Sequence, residues 1–259
     1  MSKRDYVTEI LQKRQRTAPV TRRWELVSER INDLGRIPDV IHLLEELEDV
    51  SGLEDLEDYI AIQSAHDKVK HSFSLTWEIA RYIPIGLVAC MEGYFRQVYA
   101  DLINHGSPYK ANASKFTDIK FSIEIAISLE NHSLSIGDFV AHLLTTNNLE
   151  DINKNISTLI GDDFLEKLKA ARQSAIPHSY EFRLDSNNEV YIGEPDYNQI
   201  NSYMIKSVKR MFELRHMFCH EIDPRMSRED FYSILKYPEI ALEFLLISEF
   251  AVDILLSQS

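Results

Sequence analysis

Apolar residues recur along most of this chain at spacings of three and four, the period of an α-helix buried on one face. The pattern predicts short helices near residues 3–16, 22–34, 38–49 and 53–63, with Pro19, Gly35, Pro38 and Gly52 as their separators. From Phe73 to Asn104 the apolar pattern is long and strong, and Pro84 either kinks that helix or starts a second one. His105-Gly106 supplies a glycine C-cap at its end. Helical spacing returns over 116–131, 135–146, 149–160 and 162–173, and Ser135 with Asp138 has the form of a capping box. The period then changes. "YEFRLDSNNEVYIG" alternates apolar and polar residues on either side of Ser-Asn-Asn, which predicts a β-hairpin. Residues 196–221 form another long helix, stopped before Pro224. Ser227 caps a short helix to Lys236, and Pro238 opens the last one, to about Leu256.

These elements predict a mostly α protein: a helical bundle with additional N-terminal helices, a central helical insertion and one small β-hairpin. The expected division is an N-terminal helical region over 1–70 and a helical domain over 71–259. Within that domain 73–104 and 196–256 form the core, and 105–195 is an insertion or added lobe. At 44% hydrophobic and 27% charged, with only eight Gly and eight Pro, the 259 residues suit a packed core rather than disorder. Cys90 and Cys219, the two cysteines, both lie in apolar helical patterns and suggest no disulfide framework, so a reducing, cytoplasmic setting is expected. "MSKRDYVTEILQKRQR" has no signal-peptide apolar run. The greasiest stretch, "IALEFLLISEFAVDILL", is interrupted by Glu243, Glu249 and Asp253, so it predicts a buried helix and no membrane span.

The formal net charge of −13 argues against general, charge-driven binding of nucleic acid. Charge is nevertheless uneven. No Lys or Arg occurs from Ile37 to Asp67, whereas the first 36 residues lean basic. Lys206, Lys209, Arg210, Arg215, Arg225 and Arg228 make a second basic region that leaves room for a localised anionic ligand. The acidic run "LLEELEDVSGLEDLEDY" reads as a solvated helix face.

One stretch stands out: "MFELRHMFCHEIDPRM". On a wheel of about 100° per residue, Met204, Val208, Met211, Phe212, Phe218 and Cys219 fall within roughly 60° of Arg215. The arginine therefore sits in the apolar face, with His216 and His220 on a polar flank shared with Lys209 and Glu213. A guanidinium keeps its charge, so burial without a partner costs several kcal/mol. On the helix of 85–104, Glu92 occupies the equivalent place inside a stripe of Ile85, Val88, Phe95, Tyr99 and Ile103. Two apolar faces, each with one ionisable residue, predict a Glu92–Arg215 ion pair. Such a pair stabilises a fold no better than hydrophobic replacements do, so its retention hints at a use.

"RHMFCH" has the form Arg-x4-His with a polar residue directly after the arginine, and an upstream helix carries the inward glutamate of "ACMEGYFRQVYADL". In these features the chain resembles the HEPN superfamily, over about 73–104 and 196–256. The resemblance implies a helical, typically dimeric, metal-independent endoribonuclease of prokaryotic antiphage defence or toxin-type growth arrest. Arg215 and His220 would be its catalytic pair, His216 the flanking polar residue and Glu92 the supporting acid. Lys209 and Arg210 would contact RNA phosphates. No metal or other cofactor is implied. The partners implied are RNA, with tRNA as one candidate, a second copy of the chain completing a composite active site, and an inhibitor or sensor protein. Family toxins controlled by tyrosine modification carry Tyr two residues after the histidine; here that residue is Ile222, so that form of control is not expected.

The chemistry so implied is attack of a 2′-hydroxyl on the adjacent phosphorus, leaving a cyclic phosphate and a 5′-hydroxyl. An imidazole suits it because both protonation states exist near neutral pH. Competing readings remain. Glu92 with Arg215 can be a purely structural pair, and His220 a helix-capping residue. His216 and His220 have the i, i+4 spacing of a metal pair, but Met217 stands where a zincin motif has Glu, and no second Cys/His cluster lies nearby. P-loop, dinucleotide-binding and nucleophile-elbow motifs are absent. The rival of another class is a non-catalytic helical RNA- or nucleotide-binding subunit, or a scaffold of a defence complex.

Overall fold

The computed structural model describes residues 7–11, 23–49, 59–119, 122–175, 181–184, 190–193, 197–221 and 226–257. Its helices, after a short helical segment at residues 7–11, are α1 (Arg23–Asp49), α2 (Tyr59–His105), α3 (Ile123–Asn131), α4 (Ile136–Leu143), α5 (Leu149–Ile160), α6 (Phe164–Ala175), α7 (Tyr197–His220) and α8 (Arg228–Ser257). One helical turn, Tyr109–Asn112, and a 3-10 turn, Ala113–Lys115, follow α2. Strands β1 (Glu181–Leu184) and β2 (Val190–Gly193) pair antiparallel, with Glu181 opposite Gly193. The Ser-Asn-Asn turn, the segment before Tyr59 and the stop at Pro224 lie outside the described residues. The protein is mostly helical, and among the described residues no helix is long and apolar enough to cross a membrane.

α2 is the axis of the molecule. Ile83, Leu87, Val88, Met91, Tyr94, Phe95, Val98, Tyr99 and Leu102 are all fully buried on it. Such burial around most of its circumference requires neighbours on several sides, and α1, α4, α5, α7 and α8 all pack against it or against one another. α1 runs antiparallel to α2: Arg23 reaches Asp101, while Leu34 meets Gly86. α8 runs parallel to α2, since Phe231 stacks on Trp77 and Glu249 accepts from Tyr94. The middle helices belong to the same core. Phe164 of α6 meets Phe95 edge-on at 6.1 Å, and Phe139 of α4 is fully buried. The chain between 123 and 175 thus contributes to the same core, and residue 70, near which a boundary was expected, lies within α2.

The punctuation read from proline and glycine is corrected at Gly35, Pro38 and Pro238, and at Pro84 the chain takes the continuous-helix alternative. Gly35 and Pro38 lie inside α1, Pro84 inside α2 and Pro238 inside α8, with no new helix beginning at any of them. A mid-helix proline removes one ladder bond and crowds the preceding turn, a cost of about 3 kcal/mol that packing must offset. That packing is visible. A Cβ on Gly35 would lie 3.6 Å from Pro238 Cβ, and one on Gly86 would lie 2.9 Å from Leu34. Gly86 is thus a notch that lets Leu34 of α1 approach α2 closely, while Gly35 of α1 lies against the buried Pro238 of α8 at ordinary contact distance. Gly137 is a notch of the same kind for α4: an added Cβ would be 2.5 Å from the Ala100 carbonyl oxygen, while Gly137 N–H donates to Asn104 Oδ1 at 3.2 Å.

Local capping follows the side chains. Ser135 and Asp138 form a reciprocal capping box at α4, and the Ser227 hydroxyl accepts from Asp230 N–H at 3.0 Å to start α8. Ser122 caps α3, and the described residues 116–119 lie outside any helix, where the periodicity suggested one. Phe250, in the stretch expected to form a buried helix, is 38% exposed on α8, unlike the buried Phe244.

The core holds four groups that resist giving up a proton. Burial pushes the Cys90 thiol from its ordinary 9.0 up to about 11, with Arg30 partly opposing, and the Tyr237 hydroxyl from 10.0 up to about 12. Burial raises the Tyr94 and Tyr99 hydroxyls still further, Glu249 adding to the effect on Tyr94. Each folded value lies above the unfolded one, so the native chain binds more protons than the unfolded chain at high pH. The associated stability is whole below the unfolded values and is lost as pH climbs through the folded ones. The urea midpoint should therefore be flat from pH 7 to 8.5 and fall steeply between pH 9 and about 12. A midpoint unchanged at pH 11.5 would show that these groups meet solvent in the native state.

Candidate functional site

The site is built where α7 crosses α2 and leaves the core. On α7, Met204, Val208, Met211 and Leu214 are buried, whereas His216, Cys219 and His220 are exposed. Arg215 sits at this transition. Its side chain is 30% exposed, and Nη2 donates to Glu92 Oε1 at 3.2 Å; Glu92 is 15% exposed. The structure thus brings the arginine and the glutamate together through one hydrogen-bonded contact, at the edge of the core rather than deep within it. Arg215 points along the buried stripe, but the stripe ends one turn further on, so the guanidinium keeps a face to water.

His216 and His220 share the outer flank of that last turn. Their ring centres lie 4.7 Å apart with the planes tilted by 50°. Among the described residues neither ring has a hydrogen-bonding or ion-pairing partner, in contrast to His142, whose ring contacts Glu9 at 3.2 Å. Phe218, on the inner side, packs against the core, and the Arg81 guanidinium lies 6.0 Å from its ring centre, at the outer limit of a cation–π contact. Cys219, expected on the apolar face, is exposed because the helix has already left its neighbours.

Lys209 and Arg210 are engaged elsewhere. Lys209 Nζ lies 2.5 Å from Glu150 on α5, and this hydrogen bond holds the Glu150 carboxyl below its usual range. The Arg210 fork grips Asp230 on α8 at 3.1 to 3.2 Å and also contacts Glu213 at 2.9 Å. Both cations therefore stand on the site's helix, a turn or two before Arg215, with their charge already answered by carboxylates. No group of three His, Cys, Asp or Glu side chains suited to a metal ion occurs among the described residues.

Two polar clusters escaped the reading of the sequence. Arg23, with a side chain 10% exposed, bonds Glu249 at 2.8 Å and Asp101 at 2.6 Å and reaches Asp253 at 3.5 Å, while Tyr94 Oη donates to Glu249 at 2.8 Å. Arg172, buried on α6, contacts Glu243 and donates to Asn201 Oδ1 at 3.0 Å. The acids that break the apolar run of α8 are thus the anchors for arginines on α1 and α6. The one available signal was the acids themselves, because periodicity identifies a buried acid but not a partner two hundred residues away.

Comparison with protein-family models, with curated proteins and with solved structures finds no match to this chain.

Proposed function

We propose that the chain is a HEPN-type, metal-independent endoribonuclease that cuts RNA by 2′-hydroxyl transesterification, serving prokaryotic antiphage defence or growth arrest. The observation that supports this reading most is the Glu92–Arg215 ion pair, partly open to solvent on the arginine's side, one turn from an exposed imidazole pair. In the reaction a base takes the 2′-hydroxyl proton, the 2′-oxygen attacks phosphorus, and the 5′-oxygen leaves with a proton from an acid. His220 serves in this proton traffic. Arg215 meets the extra negative charge of the phosphorane with its remaining N–H donors, and Glu92 fixes the orientation of the fork. DNA is spared because it lacks the attacking hydroxyl. Lys209 and Arg210 contribute to RNA binding only by exchanging Glu150 and Asp230 for phosphate, so their effect on affinity is modest.

The test is incubation of the purified protein with total RNA and with tRNA in EDTA, followed by end-group analysis. Products ending in cyclic phosphate and 5′-hydroxyl are expected. Intact RNA, 3′-hydroxyl ends, or cleavage that needs added divalent metal would each sink the reading. The rival, a non-catalytic RNA-binding or scaffold subunit, draws on the saturation of Lys209 and Arg210 by carboxylates; it requires RNA to be retained uncut.

A further inference from the structure

We propose that Arg96, Tyr99 and Thr146 form a binding site for a terminal phosphate group, set between α2 and the loop that joins α4 to α5. The starting point is an unanswered charge. Arg23, Arg81, Arg172, Arg210 and Arg215 are all partly or fully buried, and each meets a carboxylate. Arg96 is also partly buried, yet it makes no ion pair or hydrogen bond among the described residues, and its Nε is shut away from water without an acceptor. A guanidinium cannot shed its charge, so one held off water with nothing opposite calls for an anion. Glu92, one turn back on α2, does not supply it, being held by Arg215 at 3.2 Å. Three residues along the same side of α2 stands Tyr99, fully buried, whose hydroxyl likewise makes no hydrogen bond. Arg96 acts on that hydroxyl electrostatically, as do Asn155 and Asp151 of α5, so these groups lie together.

The loop before α5 closes the cluster. Asn155, 5% exposed, faces the Tyr99 hydroxyl, but its Nδ2 donates to the Thr145 carbonyl at 2.7 Å and no hydrogen bond of regular geometry joins it to Tyr99. The next residue, Thr146, is 1% exposed, and its hydroxyl is a third buried group without a partner. Folded chains rarely strand such groups, because each has given up its hydration for nothing. All three can donate, and what they lack in common is an acceptor. A phosphate supplies several oxygens and the negative charge that Arg96 requires. Asp151, the nearby carboxylate, accepts from Asn147 N–H at 3.2 Å and forms no ion pair with Arg96. The buried walls decide which phosphate fits. Tyr99 and Thr146 close the inner side, so the rest of a ligand continues only past the partly exposed Arg96. A phosphate with one ester substituent or none suits that arrangement, whereas an internal phosphodiester, substituted on two sides, does not.

The experiment is calorimetric titration of the full-length protein at constant ionic strength. The probes are inorganic phosphate, AMP, and a short 2′-O-methyl RNA, which cannot be cut, with and without a 5′-phosphate. Saturable binding is expected, and the 5′-hydroxyl strand should bind at least about tenfold weaker than its phosphorylated twin. Binding of inorganic phosphate or AMP makes the ligand a small molecule; binding of the phosphorylated strand alone makes it an RNA end. Both results support the site. Arg96→Met should weaken binding about tenfold to a hundredfold, and Arg96→Lys less, since it keeps the charge but not the fork. Tyr99→Phe and Thr146→Val should each cost about fivefold. The free chain makes no hydrogen bond through any of these three groups, so the variants should melt no lower than wild type. If Arg96→Met does not fold, the other variants carry the same comparison. Absence of saturable binding by every phosphate-bearing probe overturns the proposal. So does equal binding of the two strands with no binding of phosphate or AMP, or wild-type affinity across the variants. The readout is binding, so RNA left uncut would sink the ribonuclease reading and leave this site standing.

Discussion

Arg215→Ala should lower RNA cleavage by about a hundredfold to a thousandfold while moving the melting temperature by only a few degrees. The two magnitudes come from different physics. The guanidinium aimed at the charge that develops on a phosphorane acts in the transition state, where one lost donor group costs about 3 to 4 kcal/mol. In the resting fold the same group makes one 3.2 Å contact with Glu92, and 30% of its side chain is already in water. A partly solvated ion pair of that kind contributes about 1 kcal/mol or less to stability. Arg215→Lys keeps the charge but not the fork, so it should recover only part of the rate. Glu92→Gln keeps the acceptor and loses the charge, and about a tenfold loss is expected, carried in kcat more than in KM. The checks are single-turnover cleavage and thermal melts on the same preparations. Activity that falls only in step with stability across the three variants would make the pair a structural fastening and nothing more.

That pair was legible in the sequence for a simple reason. Each member is an ionisable residue inside a stripe of apolar ones, and buried charge demands an opposite charge, so the two stripes could be matched before any coordinates. Helix starts were legible on the same terms: Ser135 and Ser227 each offer an oxygen to an orphan backbone N–H, and both cap a helix. Helix ends and continuities were not. Pro38 and Pro238 look like helix boundaries in the sequence and Pro84 like a kink or a boundary, because the local cost of a mid-helix proline is visible there and the packing that offsets it is not. The notch that Gly86 provides for Leu34 and the Gly35–Pro238 approach exist only once three helices have been brought together. The same limit explains Phe250 and Cys219. Their spacing places them near an apolar face, but spacing does not say where along a helix the neighbouring helix ends.

Arg23→Met should be the most destabilising surface-proximal substitution in the chain, at about 3 to 5 kcal/mol, because it breaks a buried ion pair from one side. Arg23 is 10% exposed and answers Glu249, itself only 18% exposed, across 2.8 Å. Without the guanidinium, Glu249 keeps its charge in a crevice with the Tyr94 hydroxyl as its one remaining donor shown here. Asp101 and Asp253, at 47% and 66% exposure, can turn to water and add little. The loss should appear as a fall in melting temperature of roughly 6 to 20 °C for a chain of this size. The triple variant Arg23→Met, Tyr94→Phe, Glu249→Met removes every member whose polarity depends on the others, and should recover most of the loss, since well-packed apolar groups replace buried ion pairs at little cost. If the triple variant is no more stable than Arg23→Met alone, the loss does not come from the stranded carboxylate. It would then come from the stem of Arg23 packing α1 against α2 and α8, and the acids in the last helix would be tolerated interruptions rather than the reason α1 docks where it does.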